Sequence, residues 1–213
     1  MSPDLFSTLP RDETLGEDAR LLGGFALPVV NDVLTAIAAV TAAAPFRQMV
    51  TPGGYRMSVA MSNCGAAGWV TDRKGYRYAP VDPDSGKPWP AMPTVLADLA
   101  QRAAAAAGYA DFAPDACLIN RYVAGARMAL HQDKDERDQT HPIVSVSLGL
   151  TATFLFGGLA RADKPQRVAL AHGDVVVWGG ATRRVFHGIA PLKAGEHPLV
   201  GAQRLNLTFR KAL

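Results

Sequence analysis

The chain has 213 residues, 48% of them hydrophobic and 19% charged, a composition that excludes a disordered polymer and favours one folded domain. A domain of this length buries about 70% of the surface that its unfolded chain exposes, so its core needs no disulfide to be stable. The net charge of +3 permits an anionic partner but does not require one.

The N-terminal segment and the cysteines together predict a cytoplasmic protein without a membrane anchor. Residues 1–20 are charged and contain no apolar stretch of the kind found in signal peptides, and the chain has no run of about 18 apolar residues. The two cysteines, Cys64 and Cys117, are not arranged as C-x-x-C, so we expect buried, reduced thiols. We expect the protein to be a monomer.

Two apolar stretches predict helices. The stretch 27–46 is typical of an apolar helix that ends at Pro45, because proline cannot continue a helix. The alanine-rich stretch 92–109 predicts a second helix, with Gly108 in the left-handed conformation that often ends one. The segment between them has short alternating stretches, a Pro-Gly-Gly turn and aromatic residues beside Arg and Lys, which predict one or two β-hairpins with long loops.

From residue 116 onward the sequence consists of short strand-like stretches separated by Gly and Asp turns. These stretches are ACLINRY, IVSVSLGLTATFLFGG, RVALAHGDVVVWGG, RVFHGIAPL and QRLNLTFRKAL. Such a series predicts an antiparallel double sheet or barrel with the helices packed outside it, and therefore a mostly β fold with flanking helices (α+β).

The stretch HQDKD, residues 131–135, is the first candidate functional motif. Side chains two apart on an extended chain point the same way, so His131, Asp133 and Asp135 share a face. One imidazole and one carboxylate on one face supply two ligands for a metal ion. A third ligand must come from elsewhere in the chain.

Three histidines are candidates for the third ligand. His141 precedes a proline in a polar loop, and His172 begins a turn. His187 lies in RVFHGIAPL, where Val185, His187 and Ile189 alternate with Phe186, so only His187 has a strand to orient it. His131, Asp133 and His187 are therefore the predicted metal ligands. Two histidines and one carboxylate on one face are the facial triad of non-haem Fe(II) oxygenases.

The stretch RLNLTFR predicts a second part of the site. Its apolar face is Leu205, Leu207 and Phe209, and its polar face is Arg204, Asn206, Thr208 and Arg210. If the polar face lies between two sheets, the two arginines, about 20 Å apart along the strand, can each bind one end of a small dicarboxylate with a bidentate guanidinium. The stretch LINRY adds Leu118, Asn120 and Tyr122 on one face.

These motifs together resemble the AlkB-type family of Fe(II)/2-oxoglutarate-dependent nucleic-acid dealkylases. The resemblance extends over most of the chain, through PFRQMVTPGGY, PWPAMP, DACLINRY, HQDKDE, PIVSVSLGL, HGDVVVWGG and LNLTFR. It implies one catalytic domain over 1–213 with a double-stranded β-helix (jelly-roll) core over 110–213. It also implies N-terminal helices and a β-hairpin nucleotide-recognition lid over 46–90.

The resemblance also implies an activity, its cofactors and its partner. Fe(II), bound by His131, Asp133 and His187, and the cosubstrate 2-oxoglutarate would activate O2 and hydroxylate an alkyl carbon on a base such as 1-methyladenine or 3-methylcytosine. The reaction would release succinate, CO2 and formaldehyde and thereby repair alkylated single- or double-stranded DNA, with RNA as a second candidate. The expected 2-oxoglutarate-binding residues are Leu118, Asn120, Tyr122, Arg204, Asn206 and Arg210.

The nucleic acid should be bound by the lid and by the loops beside the metal. A damaged base must leave the helix to reach the metal, and aromatic residues beside basic ones suit that task. We expect Trp69 and the imidazole of His131 to cover its two faces, and Asp135 to accept a hydrogen bond from its exocyclic amino group. The expected substrate-binding residues are Thr51, Tyr55, Met61, Trp69, Tyr76, Arg77, Tyr78, Lys134, Asp135 and Arg161, with Arg73 and Lys74 as further phosphate contacts.

Two other functions share part of this pattern. An oxygenase that acts on a protein side chain or a small molecule would keep the metal and 2-oxoglutarate residues but would not need the basic, aromatic lid. A non-enzymatic jelly-roll binding module with a structural divalent ion would not need Arg204 and Arg210.

Overall fold

The protein is described by a computed structural model that covers residues 11–213, and two α-helices lie in that range. Helix α1 spans Val30–Ala43 after a 3-10 turn at Leu27–Val29, and helix α2 spans Thr94–Ala106. Both predicted helices are confirmed, and Gly108 has the expected left-handed φ of 93°. Within the described residues, no helix is both long enough and apolar enough to span a lipid bilayer. The prediction for the first ten residues lies outside the described range.

The remaining elements are strands, numbered here along the chain. They are β1 Glu13–Gly16, β2 Ala19–Leu22, β3 Ala60–Gly65, β4 Gly68–Asp72, β5 Gly75–Ala79, β6 Ala116–Tyr122, β7 Met128–His131, β8 Ile143–Gly149, β9 Ala152–Phe156, β10 Gln166–Leu170, β11 Val175–Trp178, β12 His187–Ile189 and β13 Arg204–Arg210. The large sheet has the order β1-β2-β11-β8-β13-β6-β3, the small sheet has the order β10-β9-β12-β7, and β4 and β5 form a separate hairpin.

The two sheets pack face to face, and the helices cover the outer face of the large sheet. Leu118, Ile143 and Trp178 of the large sheet share one hydrophobic cluster with Phe154 and Leu170 of the small sheet. A second cluster joins side chains of α1 and α2 to the opposite face of the large sheet. The predicted mostly β fold with flanking helices is therefore confirmed, with the antiparallel sheets of a jelly-roll.

Strand β13 shows why the sheet has two chemically different faces. All seven of its residues are buried, because the helices cover one face and the small sheet covers the other. Leu205, Leu207 and Phe209 pack in the helical cluster, whereas Arg204 and Arg210 point between the sheets. The polar face of this strand is thus interior, which is the condition under which we expected its two arginines to bind a dicarboxylate.

The large sheet also contains strands from outside 110–213. Strand β2 pairs with β11, and β3 pairs with β6 at the opposite edge. No strand is predicted from the sequence for β1 and β2, which have four residues each and lie in the charged stretch ETLGEDARLL. The cysteines are buried and free, as predicted, and lie opposite each other where β3 meets β6.

Candidate metal and cosubstrate site

Strand pairing brings two of the three predicted metal ligands together. His131 at the end of β7 is directly opposite His187 at the start of β12, and their ring centroids are 4.4 Å apart. Asp133 follows two residues after β7, with Oδ1 3.6 Å from Nε2 of His131 and Oδ2 3.8 Å from Nε2 of His187. One ligand atom from each residue lies within 4.8 Å of the others, which is close enough for a single ion.

The hydrogen bonds of the two imidazoles leave Nε2 as the free ligand atom. Nδ1 of His131 lies 2.9 Å from the carbonyl oxygen of Ala129, and Nδ1 of His187 lies 3.1 Å from that of Val185. Because a carbonyl oxygen only accepts, each Nδ1 carries the hydrogen and each Nε2 keeps its lone pair. Burial, followed by the charge of His131, lowers the pKa of His187 to about 4, so His187 is neutral at pH 7.

Asp133 supplies the negative charge of the cluster. Burial by itself would raise the pKa of its carboxyl group, but the positive charge of Arg210 and its hydrogen bonds, together with the two neighbouring imidazoles, outweigh burial and hold that pKa well below its usual range. Arg210 donates to Oδ2 from Nε at 2.9 Å and from Nη2 at 2.6 Å. Two imidazoles and one ionised carboxylate on one side of a cavity fit Fe(II) and leave positions for other ligands.

Gly188 allows the two ligand strands to lie this close. A Cβ atom at that position would lie 2.6 Å from the carbonyl oxygen of Met128 and 3.2 Å from that of Ala129, both in the backbone of β7. Any larger residue would push β12 away from β7. The glycine that follows His187 in the sequence was the available signal, and we did not interpret it.

The six predicted 2-oxoglutarate-binding residues line one cavity between the sheets, together with His131 and His187. These residues are Leu118, Asn120, Tyr122, Arg204, Asn206 and Arg210. The two asparagines are fixed by hydrogen bonds on adjacent strands, since Asn120 donates to Asn206 at 3.1 Å and Asn206 donates to Ser145 at 2.8 Å. The cavity therefore has preorganised polar walls that begin at the metal cluster.

Arg204 is the clearest sign that the cavity accepts an anion. It is 1% exposed, lies 5.0 Å from the ring centre of Tyr122, and donates from Nη2 to the hydroxyl of Ser147 at 2.8 Å. Its Nε and Nη1 are buried and have no hydrogen-bond partner among residues 11–213. Burial lowers its pKa, and a buried guanidinium with free donors is costly unless a ligand satisfies them. A carboxylate of 2-oxoglutarate fits this need.

The β4–β5 hairpin contacts the loop that follows β7 through two aromatic side chains, Trp69 and Tyr78. Trp69 of β4 stacks on Tyr76 of β5, with ring centroids 5.6 Å apart and planes 18° apart. Its Nε1 donates to Oδ2 of Asp135 at 2.9 Å. Asp135 lies two residues beyond Asp133, so this bond ties the indole to the loop that carries one of the predicted metal ligands.

Several predicted substrate residues lie at or near the protein surface. Tyr55 is 78% exposed and Tyr76 is 49% exposed, and Thr51 closes the turn that presents Tyr55. Arg161 is exposed, stacks over the ring of Phe186 at 4.8 Å and donates to the carbonyl of Leu130 next to His131. The remaining exposed residues of the predicted set are Arg73, Lys74, Lys134 and Asp135.

Three other predicted substrate residues have side chains that already contact other groups of the protein. Met61 is 1% exposed in the core between the sheets. Arg77 forms a two-pronged ion pair with Asp72 across the hairpin, at 3.0 and 2.7 Å. The Tyr78 hydroxyl donates to the buried carboxylate of Glu136 at 2.8 Å. The sequence named these three as expected substrate-binding residues, because the alternation of a hairpin does not show which protein groups each side chain contacts.

Glu136 and Arg183 are buried charged residues that we missed. Glu136 is 6% exposed and Arg183 is 3% exposed, and they pair at 3.2 Å. In the sequence, Glu136 ends the charged run HQDKDE and Arg183 is one of two adjacent arginines, and such residues are usually solvated.

Comparison with known proteins agrees with this geometry. The profile of the 2OG-Fe(II) oxygenase superfamily matches residues 19–210. The alpha-ketoglutarate-dependent dioxygenase AlkB of Escherichia coli (strain K12) is 60% identical over 210 residues, which are 98% of this chain and 97% of that protein. The DNA N(6)-methyladenine demethylase ALKBH1C of Arabidopsis thaliana is 40% identical over 46% of this chain and 24% of its own length. The solved structure of OsALKBH1 superposes with a TM-score of 0.83 at 28% identity, covering 94% of this chain and 99% of that one.

Replacing His187 with alanine should abolish tight binding of Mn(II). The variant would lose Nε2 of His187, so only two of the three ligands would remain. His172→Ala is the matched control, since His172 lies in a turn outside the cluster and accepts a hydrogen bond from the Gly149 amide. Titration calorimetry without oxygen measures both affinities. Tight binding by His187→Ala together with loss of binding by His172→Ala would show that the ligand set is wrong.

Proposed function

Since the chain belongs to the 2OG-Fe(II) oxygenase superfamily and, within it, to the AlkB dioxygenases, we propose that it repairs nucleic acids by oxidative removal of alkyl groups from base nitrogens. The protein is an Fe(II)- and 2-oxoglutarate-dependent dioxygenase. The proposed reaction consumes O2 and releases succinate, CO2 and formaldehyde. The proposed substrates are 1-methyladenine and 3-methylcytosine in single- or double-stranded DNA, with RNA as a second candidate.

The contact between Trp69 and Asp135 is the observation that supports a nucleic-acid base as the substrate. It joins an aromatic side chain of the β4–β5 hairpin to a carboxylate that lies two residues beyond Asp133, a member of the metal cluster. An extruded base needs a platform for its face and a partner for its edge, and extrusion costs a few kcal/mol, less for a damaged base. An oxygenase for a small molecule or a protein side chain would not need this lid.

Each part of the site has a distinct task in the proposed reaction. His131, Asp133 and His187 hold Fe(II), which together with 2-oxoglutarate supplies the O2 activation that hydroxylates the alkyl carbon. Arg204 binds the distal carboxylate, because its free donors lie at the end of β13 away from Asp133. Arg210, hydrogen-bonded to Asp133, binds the metal-side carboxylate. The buried walls exclude water from the reacting atoms.

Asp135 is the proposed selector of the base. A carboxylate accepts a hydrogen bond from an exocyclic amino group, which both proposed substrates carry, and its charge favours a cationic base. In the absence of a base, its Oδ2 accepts from Trp69, so the base must share or displace that bond. The imidazole of His131 is proposed to cover the second face of the base, opposite Trp69.

The phosphate groups are proposed to meet the exposed cations of the lid and the metal-binding loop. Arg73, Lys74 and Lys134 are exposed, whereas the guanidinium of Arg77 is occupied by Asp72. Three neutralised phosphates would give a slope of about −2 for log K against log salt on a single strand. We further propose that the enzyme works as a monomer in the cytoplasm, a compartment that suits two buried free thiols.

The direct test of this function is release of formaldehyde from a defined oligonucleotide. The protein is loaded with Fe(II) without oxygen and then mixed with 2-oxoglutarate, O2 and single-stranded DNA or RNA that carries one 1-methyladenine. Formaldehyde should appear in proportion to the alkylated base, and an unmodified oligonucleotide is the control. Consumption of 2-oxoglutarate without formaldehyde from either nucleic acid would instead support the small-molecule or protein substrate.

Arg204→Lys should raise the Kd of 2-oxoglutarate at least tenfold, about 1.4 kcal/mol, because an ammonium group cannot replace a two-pronged guanidinium. Arg167→Lys, an exposed arginine on β10, is the matched control and should leave the Kd unchanged. Calorimetry in the presence of Mn(II) gives both values. An unchanged Kd in Arg204→Lys would remove Arg204 from the cosubstrate site.

Asp135→Ala should reduce the preference for 1-methyladenine over 3-methylthymine by about tenfold or more, since a hydrogen bond to a charged group contributes roughly 1.5–3 kcal/mol. The ratio of kcat/KM for the two lesions measures this preference, and Asp138→Ala in the same loop is the control. If Asp135→Ala slows both lesions by the same factor, Asp135 has no role in base selection.

A further inference from the structure

The metal ligand Asp133 is not fixed by strand pairing. His131 and His187 are held opposite each other by the β7–β12 ladder, but β7 ends at His131. The segment 132–142, which carries Asp133, has no helix or strand. A ligand in an irregular loop needs other contacts if its carboxylate is to keep the short distances to both histidines.

One buried guanidinium supplies contacts along this loop. Arg183 donates from Nη1 to the backbone carbonyl of Asp133 at 2.9 Å and from Nε to the backbone carbonyl of His141 at 3.0 Å. Its Nη2 lies 3.2 Å from Oε2 of Glu136. The same side chain therefore binds the loop near its start, in its middle and near its end.

Because of its position in the chain, Arg183 connects the segments that carry two of the metal ligands. Arg183 follows the 3-10 turn Gly180–Thr182 and precedes the ligand His187 by four residues. It therefore joins the segment that carries one metal ligand to the backbone of another. We propose that Arg183 is a positioning residue that sets the place of Asp133 relative to His187, where no strand ladder does so.

Glu136 explains how such a charge is stable when it is buried. Its Oε1 accepts from the Tyr78 hydroxyl at 2.8 Å and lies 3.2 Å from Nε of Arg210, while Arg183 approaches its Oε2. Arg183 and Arg210 then face Asp133 and Glu136, so two positive charges balance two negative ones. Oε1 therefore has a hydrogen-bond donor, whereas Oε2 is compensated only by the charge of Arg183, since it has no hydrogen-bond partner among residues 11–213. Tyr78 also attaches the lid strand β5 to the same carboxylate.

A purely electrostatic role for Arg183 would act in the opposite direction. A positive charge close to the site repels a divalent cation, so an arginine that acted only through its charge would weaken metal binding. Lysine keeps the charge but, as a single ammonium group, cannot reproduce the fixed fork that reaches three acceptors. Arg183→Lys therefore keeps the positive charge but removes the contacts, so it tests the positioning role separately from the charge.

The test is a titration of the full chain with Mn(II) in the absence of oxygen, read by the electron paramagnetic resonance signal of free Mn(II). Arg183→Lys should raise the Mn(II) Kd tenfold or more, because loss of a contact that orients a metal ligand typically costs 10- to 100-fold in affinity. Arg184→Lys is the matched control, since Arg184 is the exposed neighbour, and it should stay within about twofold of the parent.

The inference rests on the proposed metal site, and the two can fail separately. If the parent protein binds no Mn(II), the metal site itself is wrong. If the parent binds Mn(II) and a folded Arg183→Lys binds it equally well or more tightly, the positioning role is overturned.

If Arg183→Lys shows no cooperative unfolding on heating, and is therefore not folded, a second variant provides the test. Gln132→Ala removes a neighbouring bond between the same two segments, from Nε2 of Gln132 to the carbonyl of Arg184 at 2.6 Å, without disturbing a buried charge. A rise of about threefold or more in the Mn(II) Kd supports the proposal that contacts between these segments position the ligand. An unchanged Kd overturns it.

Discussion

The burial of two arginines between the sheets is the constraint on which the site depends. Arg204 and Arg210 lie at the two ends of the last strand, on its inner face, and are 1% and 6% exposed. A guanidinium does not lose its proton in a protein, so each must find acceptors inside the protein or in a ligand. The chemistry of the cavity follows from how each arginine meets that requirement.

Arg204 and Arg210 satisfy this need for acceptors in different ways. Arg210 is compensated within the protein by Asp133 and Glu136, and in return it keeps Asp133 ionised beside the two histidines. Arg204 has only the Ser147 hydroxyl among the hydrogen-bond partners in residues 11–213, and two of its donor nitrogens are left over. A dicarboxylate cosubstrate therefore completes the fold as well as the active site, and its binding should stabilise the protein by mass action.

Local patterns predicted much of the fold and the centre of the site. The two-residue spacing of His131 and Asp133, the strand pattern around His187 and the alternation in RLNLTFR each depend on a few neighbouring residues. Burial of Glu136 and Arg183 depends instead on contacts between segments that are far apart in sequence, and the residues beside them are solvated. The short strands β1 and β2 also depend on distant contacts, since β2 pairs with β11 and β1 pairs with β2.

The central claim is that the three metal ligands and the arginine-lined cavity form one site. Calorimetry without oxygen can measure the Kd of 2-oxoglutarate in the presence and in the absence of Mn(II). If both bind at one centre, Mn(II) should tighten 2-oxoglutarate binding at least tenfold, and 2-oxoglutarate should tighten Mn(II) binding by the same factor, because such coupling is reciprocal. Equal affinities with and without the metal would contradict a shared site.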